Sequence, residues 1–224
     1  MEIELDGETI AGRIACPADL RPGPGQYLLA SLLDDPVEAL ATPLFASGMA
    51  AELAPFPTGW SPGARLALRG PLGRGFRLPP DSRRVCLAAC QTTPARLLPL
   101  AALALGRGAA VTLVVEAQPQ TAIPRNLPAA VEVVPCEAMP EALAWADCLA
   151  LDTPSGGLYS LLSRLNLDRG RAQALNAQVL VGTAMPCGGL AECGICAVRT
   201  SRSWMLACKD GPVFDLASFL GGSA

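Results

Sequence analysis

The chain has 224 residues, 51% hydrophobic and 17% charged, with a formal net charge of -3 and no histidine. That length holds one large domain or two to three small ones with real cores. Without histidine, Ser-His-Asp and Cys-His catalysis, histidine-ligated zinc enzymes and Rieske-type clusters are excluded, and an acidic chain with five Phe, three Trp and two Tyr offers no basic, stacking surface for nucleic acid.

The first predicted unit, residues 1–80, is β-rich. It opens on an acidic stretch, Met1 to Asp6, without the layout of a signal peptide. Ile3-Glu4-Leu5 alternates, Asp6-Gly7 is a hairpin signal, and residues 9–14 form the returning strand. Residues 26–32 and 64–69 are further predicted strands. Residues 36–62, rich in Pro, Gly and Ala, show little periodicity, and no element is assigned there.

In the second predicted unit, residues 83–175, strands and helices alternate. Strands are expected at 85–89, 111–115, 131–134 and 149–151, with a helix at 95–105. The stretch 97–105 is the longest strongly apolar run, but Pro99 interrupts it and it is too short for a membrane span. Leu158, Leu161, Leu162 and Leu165 mark one face of a second helix. This succession implies a small, mostly parallel α/β sheet. Residues 178–181 lead out of it as an extended stretch into a third unit, 176–224, which carries the informative cysteines. No internal repeat is present.

Five of the nine cysteines, Cys16, Cys86, Cys90, Cys136 and Cys148, sit in or beside apolar segments and read as small core hydrophobes. The other four are spaced C-x5-C-x2-C-x11-C: Cys187, Cys193, Cys196 and Cys208. The spacing is close to the plant-type run that wraps a 2Fe-2S cluster. Gly188, Gly189 and Gly194 supply the positive φ values that a tight wrap needs, leaving amides free to face sulfur. A four-thiolate zinc site is the alternative, although such sites commonly use two close pairs and only Cys193 and Cys196 form one here. In a chain read as cytoplasmic, clustered thiols suggest metal rather than disulfides.

Taken in this order, the features resemble the electron-transfer subunit of the two-subunit, NAD-linked dihydroorotate dehydrogenases, a ferredoxin-reductase-like family. Gly70-Pro71-Leu72-Gly73-Arg74-Gly75-Phe76 is similar to its G-P-L-G-x-G-F motif at the end of the flavin domain. Cys208-Lys209-Asp210-Gly211-Pro212-Val213-Phe214 is similar to its last cluster ligand and the residues after it. Pro24-Gly25-Gln26-Tyr27 is similar to the P-G-Q-F/Y of the wider ferredoxin-reductase group. The resemblance implies an N-terminal barrel holding FAD, an α/β domain receiving NADH, and a C-terminal 2Fe-2S domain. It further implies a hetero-oligomer in which the cluster serves an FMN-containing catalytic subunit of pyrimidine biosynthesis.

Three motifs depart from that family. R-P-x-S reads Thr42-Pro43-Leu44-Phe45, without the arginine that would pair with the FAD pyrophosphate. G-G-G-x-G-x-x-P-L reads Ala89-Cys90-Gln91-Thr92-Thr93-Pro94-Ala95-Arg96-Leu97, without a glycine to let the backbone approach a cofactor. C-G-P is replaced by Leu151-Asp152-Thr153. A working NAD site is therefore not expected, and FAD, with Pro43, Gly70, Gly73 and Gly75 as its contacts, is optional.

The expected function is one-electron relay between the cluster and a flavin-containing partner, an oxidoreductase subunit rather than a complete enzyme, with no catalytic residue of its own. Two rivals stand beside it: a self-contained FAD/2Fe-2S NAD(P)H:acceptor reductase, and a degenerate paralogue with a structural role in a larger redox assembly. The partner is expected to contact residues 188–192 and the surroundings of Trp204. The plainer expectation for Trp204 is packing on its own domain, and for Glu192 a solvated charge.

Overall fold

A computed structural model describes residues 2–6, 9–15, 17–34, 41–49, 52–57, 59–116 and 127–221. The predicted turn residue Gly7, and Cys16, lie outside the described residues. The N-terminal part contains β1 (Glu2–Asp6), β2 (Thr9–Arg13), β3 (Tyr27–Leu32), β4 (Thr42–Ser47), β5 (Glu52–Ala54) and β6 (Leu66–Leu72). They form one antiparallel sheet in the order β1-β2-β5-β4-β3-β6.

β4 and β5 fall where no element was expected. The last four residues of β4 are all buried, because both of its faces are covered. The two-residue repeat of a half-exposed strand is therefore missing from its sequence. The pleat divides the side chains between two cores. Leu28 and Ala30 of β3 and Leu44 of β4 join Leu53, Phe56 and Trp60 on one side. Tyr27, Leu29 and Phe45 point the other way and join the core of the rest of the chain.

The second part runs β7 (Arg84–Ala89), a short 3-10 turn into α1 (Leu98–Gly106), β8 (Ala110–Val115), β9 (Val131–Pro135), α2 (Met139–Trp145) and β10 (Cys148–Pro154). It continues through α3 (Leu158–Leu165), α4 (Arg169–Ala174) and β11 (Gln178–Gly182). The helix expected at 95–105 thus starts as a 3-10 turn, with Pro94 at its N-terminus. α2 was not expected from the sequence; its Pro140 occupies the first turn, where a missing N–H costs nothing. α4 is short and contains Gly170; its N-cap is Asp168, whose carboxylate accepts the Arg171 N–H at 2.7 Å.

The C-terminal part has the hairpin β12 (Ala197–Arg199) and β13 (Trp204–Leu206), then α5 (Ala207–Asp210) and β14 (Val213–Asp215). The second sheet has the order β14-β11-β10-β7-β8-β9, parallel except for β14. Residues 178–181 are therefore an internal strand of this sheet rather than an exit from it. The boundary expected at 175/176 falls within a single sheet. Its parallel strands follow the doubly wound order 3-2-1-4-5, which reverses between β7 and β10.

Cys86, Cys90 and Cys148 are buried in this core as expected. Cys136 is a correction: it is half-buried at the core's edge, and its Sγ accepts a hydrogen bond from Arg164 at 2.9 Å. Among the described residues no helix is long and apolar enough to cross a membrane.

Candidate metal centre

The loop after β11 is shaped by backbone that few side chains tolerate. Gly188, Gly189 and Gly194 have φ of 59°, 74° and 70°. Ala191 adopts the same left-handed conformation at 62°, which costs an alanine roughly 1–2 kcal/mol. Sequence reasoning missed it because nothing in an alanine announces that geometry. The reversals curl residues 187–196 back on themselves, and α5 returns the chain with Cys208.

The four thiols differ in exposure. Cys196 and Cys208 stand 3.3 Å apart, Sγ to Sγ, both buried. Cys187 and Cys193 lie nearer solvent, and Cys193 is the strongest influence on Cys187. The Cys193 hydrogen bond, aided by the Glu192 backbone N–H, holds the Cys187 thiol down at about 6. Burial, with a further contribution from Cys196, pushes Cys208 up to about 12. The N–H groups of Leu190 and Ala191 also face Cys187 and Cys208 respectively. The loop therefore aims amides at sulfur, the arrangement that stabilises thiolates and tunes a metal–sulfur centre. Among the described residues, no three ligand-type side chains converge tightly enough to hold a single ion.

The loop rests on the face of β3 and β6 that bears Tyr27 and Arg69. Tyr27, fully buried, donates from its hydroxyl to the Cys208 carbonyl at 3.4 Å. Arg69 donates to the Gly188 carbonyl at 2.9 Å. A β-carbon at Gly189 would stand 3.2 Å from the Tyr27 hydroxyl, so glycine there sets how closely the loop seats. Three apolar side chains around the loop are exposed. Leu190, Ile195 and Trp204 are 56%, 61% and 67% exposed. Trp204 thus projects from its hairpin instead of packing on its own domain, and Glu192 is solvated as expected.

The residues expected to contact flavin lie on the β sheet, Pro43 and Gly70, and just after β6, Gly73 and Gly75. Pro43 pairs with Leu29 between β4 and β3. β-Carbons at Gly70, Gly73 and Gly75 would strike Leu28 Cδ2 at 2.5 Å, Pro212 Cδ at 2.6 Å and the Pro24 carbonyl at 2.6 Å. These glycines make room for neighbouring parts of the chain. The three departing motifs, in contrast, meet. Arg96 sits with its guanidinium 5.1 Å from the Phe45 ring centroid and forms two hydrogen bonds, of 2.9 and 2.5 Å, with the Asp152 carboxylate.

Residues 183–219 match the family model of the iron-sulfur cluster binding domain of dihydroorotate dehydrogenase B. Among solved structures, the chain is similar to the NADH-dependent reduced ferredoxin-NADP oxidoreductase studied for flavin-based electron bifurcation. The TM-score is 0.65 at 16% identity, covering 96% of this chain and 89% of that one. It is also similar to an intact type IV self-sufficient cytochrome P450 monooxygenase, with a TM-score of 0.52 at 16% identity over 82% of this chain and 27% of that one. At such identities the likeness establishes the fold, which is ferredoxin-reductase-like. No curated protein sequence matched the chain. The C-terminal segment is an iron–sulfur cluster binding domain, and the four thiols fit that cofactor.

Proposed function

We propose that this chain, a ferredoxin-reductase-like protein with the iron–sulfur domain of the dihydroorotate dehydrogenase B family, is an electron-transfer subunit holding a 2Fe-2S cluster. Its ligands are Cys187, Cys193, Cys196 and Cys208. The observation that carries the reading is the buried Cys196–Cys208 pair, 3.3 Å apart, closing a loop that also carries Cys187 and Cys193. A two-iron centre takes two thiolates per iron, whereas a structural zinc site draws all four onto one ion.

When bound, the cluster supplies reversible one-electron transfer. The chain's own residues do the rest. Tyr27 and Arg69 anchor the loop through the Cys208 and Gly188 carbonyls. Burial of Cys196 and Cys208 keeps water from those two thiols, while Cys193, Leu190, Ile195 and Trp204 are exposed. An exposed apolar patch beside a redox centre favours docking over solvent contact.

The partner we assign is the flavin-containing catalytic subunit of a dihydroorotate dehydrogenase, in a cytoplasmic hetero-oligomer of pyrimidine biosynthesis. The test is co-expression with such a subunit, followed by anaerobic mixing of the pre-reduced, cluster-loaded chain with the oxidised subunit. A stable complex and flavin reduction at the expense of the cluster are expected. Separate elution, with no electron exchange on mixing, would overturn the assignment.

A further inference from the structure

In a doubly wound sheet, ligands bind outside the carboxyl ends of the strands, where the strand order reverses. Here that place is the crevice beyond β7 and β10. The Asp152, Arg96 and Glu116 side chains and the Gln91 N–H are already engaged within the chain, whereas the Thr183 hydroxyl just beyond β11 is buried without a partner among the described residues. On one side is the buried Asp152 carboxylate, 0% exposed, gripped by Arg96, whose guanidinium lies over the Phe45 ring from the β sheet. The Gly48 N–H donates to the Ala95 carbonyl at 3.0 Å and fastens the same seam.

On the other side is the loop that follows β7. Gln91 takes a left-handed conformation, φ 57°, in this loop, the place where a doubly wound sheet receives a dinucleotide's phosphates. Its backbone N–H donates to the Glu116 carboxylate at 2.9 Å, and Glu116 accepts Arg164 at 2.6 Å. The Gln91 side chain covers Gly157 so closely that a β-carbon there would strike its Oε1 and Thr153 Oγ1. The Cys90 N–H is bonded to the Asp152 carbonyl at 2.9 Å.

We infer that the chain's own carboxylates, Asp152 and Glu116, occupy the places of ligand anions in this crevice, so that it takes neither FAD nor a nicotinamide nucleotide and is held shut by Arg96 and Arg164. The replacements at three separated motifs are then one change, because Arg96 touches both Phe45 and Asp152. A chain closed in this way has its cluster as its single redox centre, and electrons both enter and leave through the exposed cluster edge.

The test is equilibrium dialysis of the cluster-loaded chain against FAD, NADH and ADP-ribose, each at about 1 mM, with thermal unfolding followed in the same solutions. Retention below about one-tenth of an equivalent and no shift in melting temperature are expected for all three. Saturable retention near one equivalent of any of them, or a melting temperature rising with its concentration, would overturn the inference. Cluster absorbance, read on the same samples, reports the electron-transfer assignment separately and is unaffected by either outcome.

Discussion

Gly73 lies so close to Pro212 that a β-carbon on it would stand 2.6 Å from the proline Cδ, with Tyr27 Cε1 at 2.9 Å and the Gly211 carbonyl at 3.0 Å. The contact joins the two sequence motifs that best identify the chain. Around it the Arg74 N–H donates to the Gly211 carbonyl at 2.5 Å, and the Val213 N–H to the Arg74 carbonyl at 3.4 Å. The Gly70–Phe76 stretch thereby fixes the segment just after Cys208.

Gly73→Ala is expected to destabilise the protein by about 1–3 kcal/mol through overpacking, with about 1 kcal/mol more because φ is 76°. Urea unfolding measures the loss, and iron retention at 37 °C should fall with it. Stability and iron content equal to the parent would show that the contact does not seat the cluster loop.

Arg96→Ala leaves the Asp152 carboxylate buried without its partner. Burial already raises that carboxyl's pKa, opposed by Arg96. Removing one member of a buried pair costs about 3–5 kcal/mol, while Arg96→Leu combined with Asp152→Leu should recover most of it. A double-mutant cycle in denaturant reads the coupling; additive losses would mean that the pair is not a unit.

Cys86 and Cys148 give a pH dependence. Burial pushes their thiols up from 9.0 to about 12 and about 11. The fold therefore holds the protonated forms, so their contribution is complete below pH 9 and is lost as pH rises from 9 through 11 to 12. Stability should fall above pH 9 by up to roughly 1.4 kcal/mol per pH unit per thiol, and Cys86→Ala should flatten that slope. At pH 8, iodoacetamide followed by mass spectrometry should leave both thiols unmodified.

Trp204→Ala and Ile195→Glu are expected to leave iron content unchanged and to weaken the complex with the catalytic subunit. The tryptophan change should cost about 2 kcal/mol, roughly 30-fold in Kd. Loss of cluster from either variant would place these side chains in the fold of the loop rather than on its docking face.

Much of this was legible in the sequence, for local reasons. The alternation at 3–5 and 9–14, the apolar runs at 85–89 and 111–115, and the leucine stripe from 158 to 165 each carry their own periodicity. The left-handed glycines at 188, 189 and 194 follow from what a metal loop needs. β4 was hidden by burial on both faces, and α2, with a proline in its first turn, was not expected. The Phe45–Arg96–Asp152 contact was out of reach for another reason. Each departure was visible alone, but only the tertiary fold shows that residues so far apart in sequence share one crevice.

The cluster assignment is tested most directly by the metal content of the anaerobically purified chain, with iron, acid-labile sulfide and zinc measured together with the spectrum of the reduced protein. About two iron and two sulfide ions per chain are expected, with the electron paramagnetic resonance of a 2Fe-2S centre, and Cys193→Ser should abolish or strongly perturb both. Zinc in place of iron when iron is ample, or an unchanged cluster in Cys193→Ser, would contradict it.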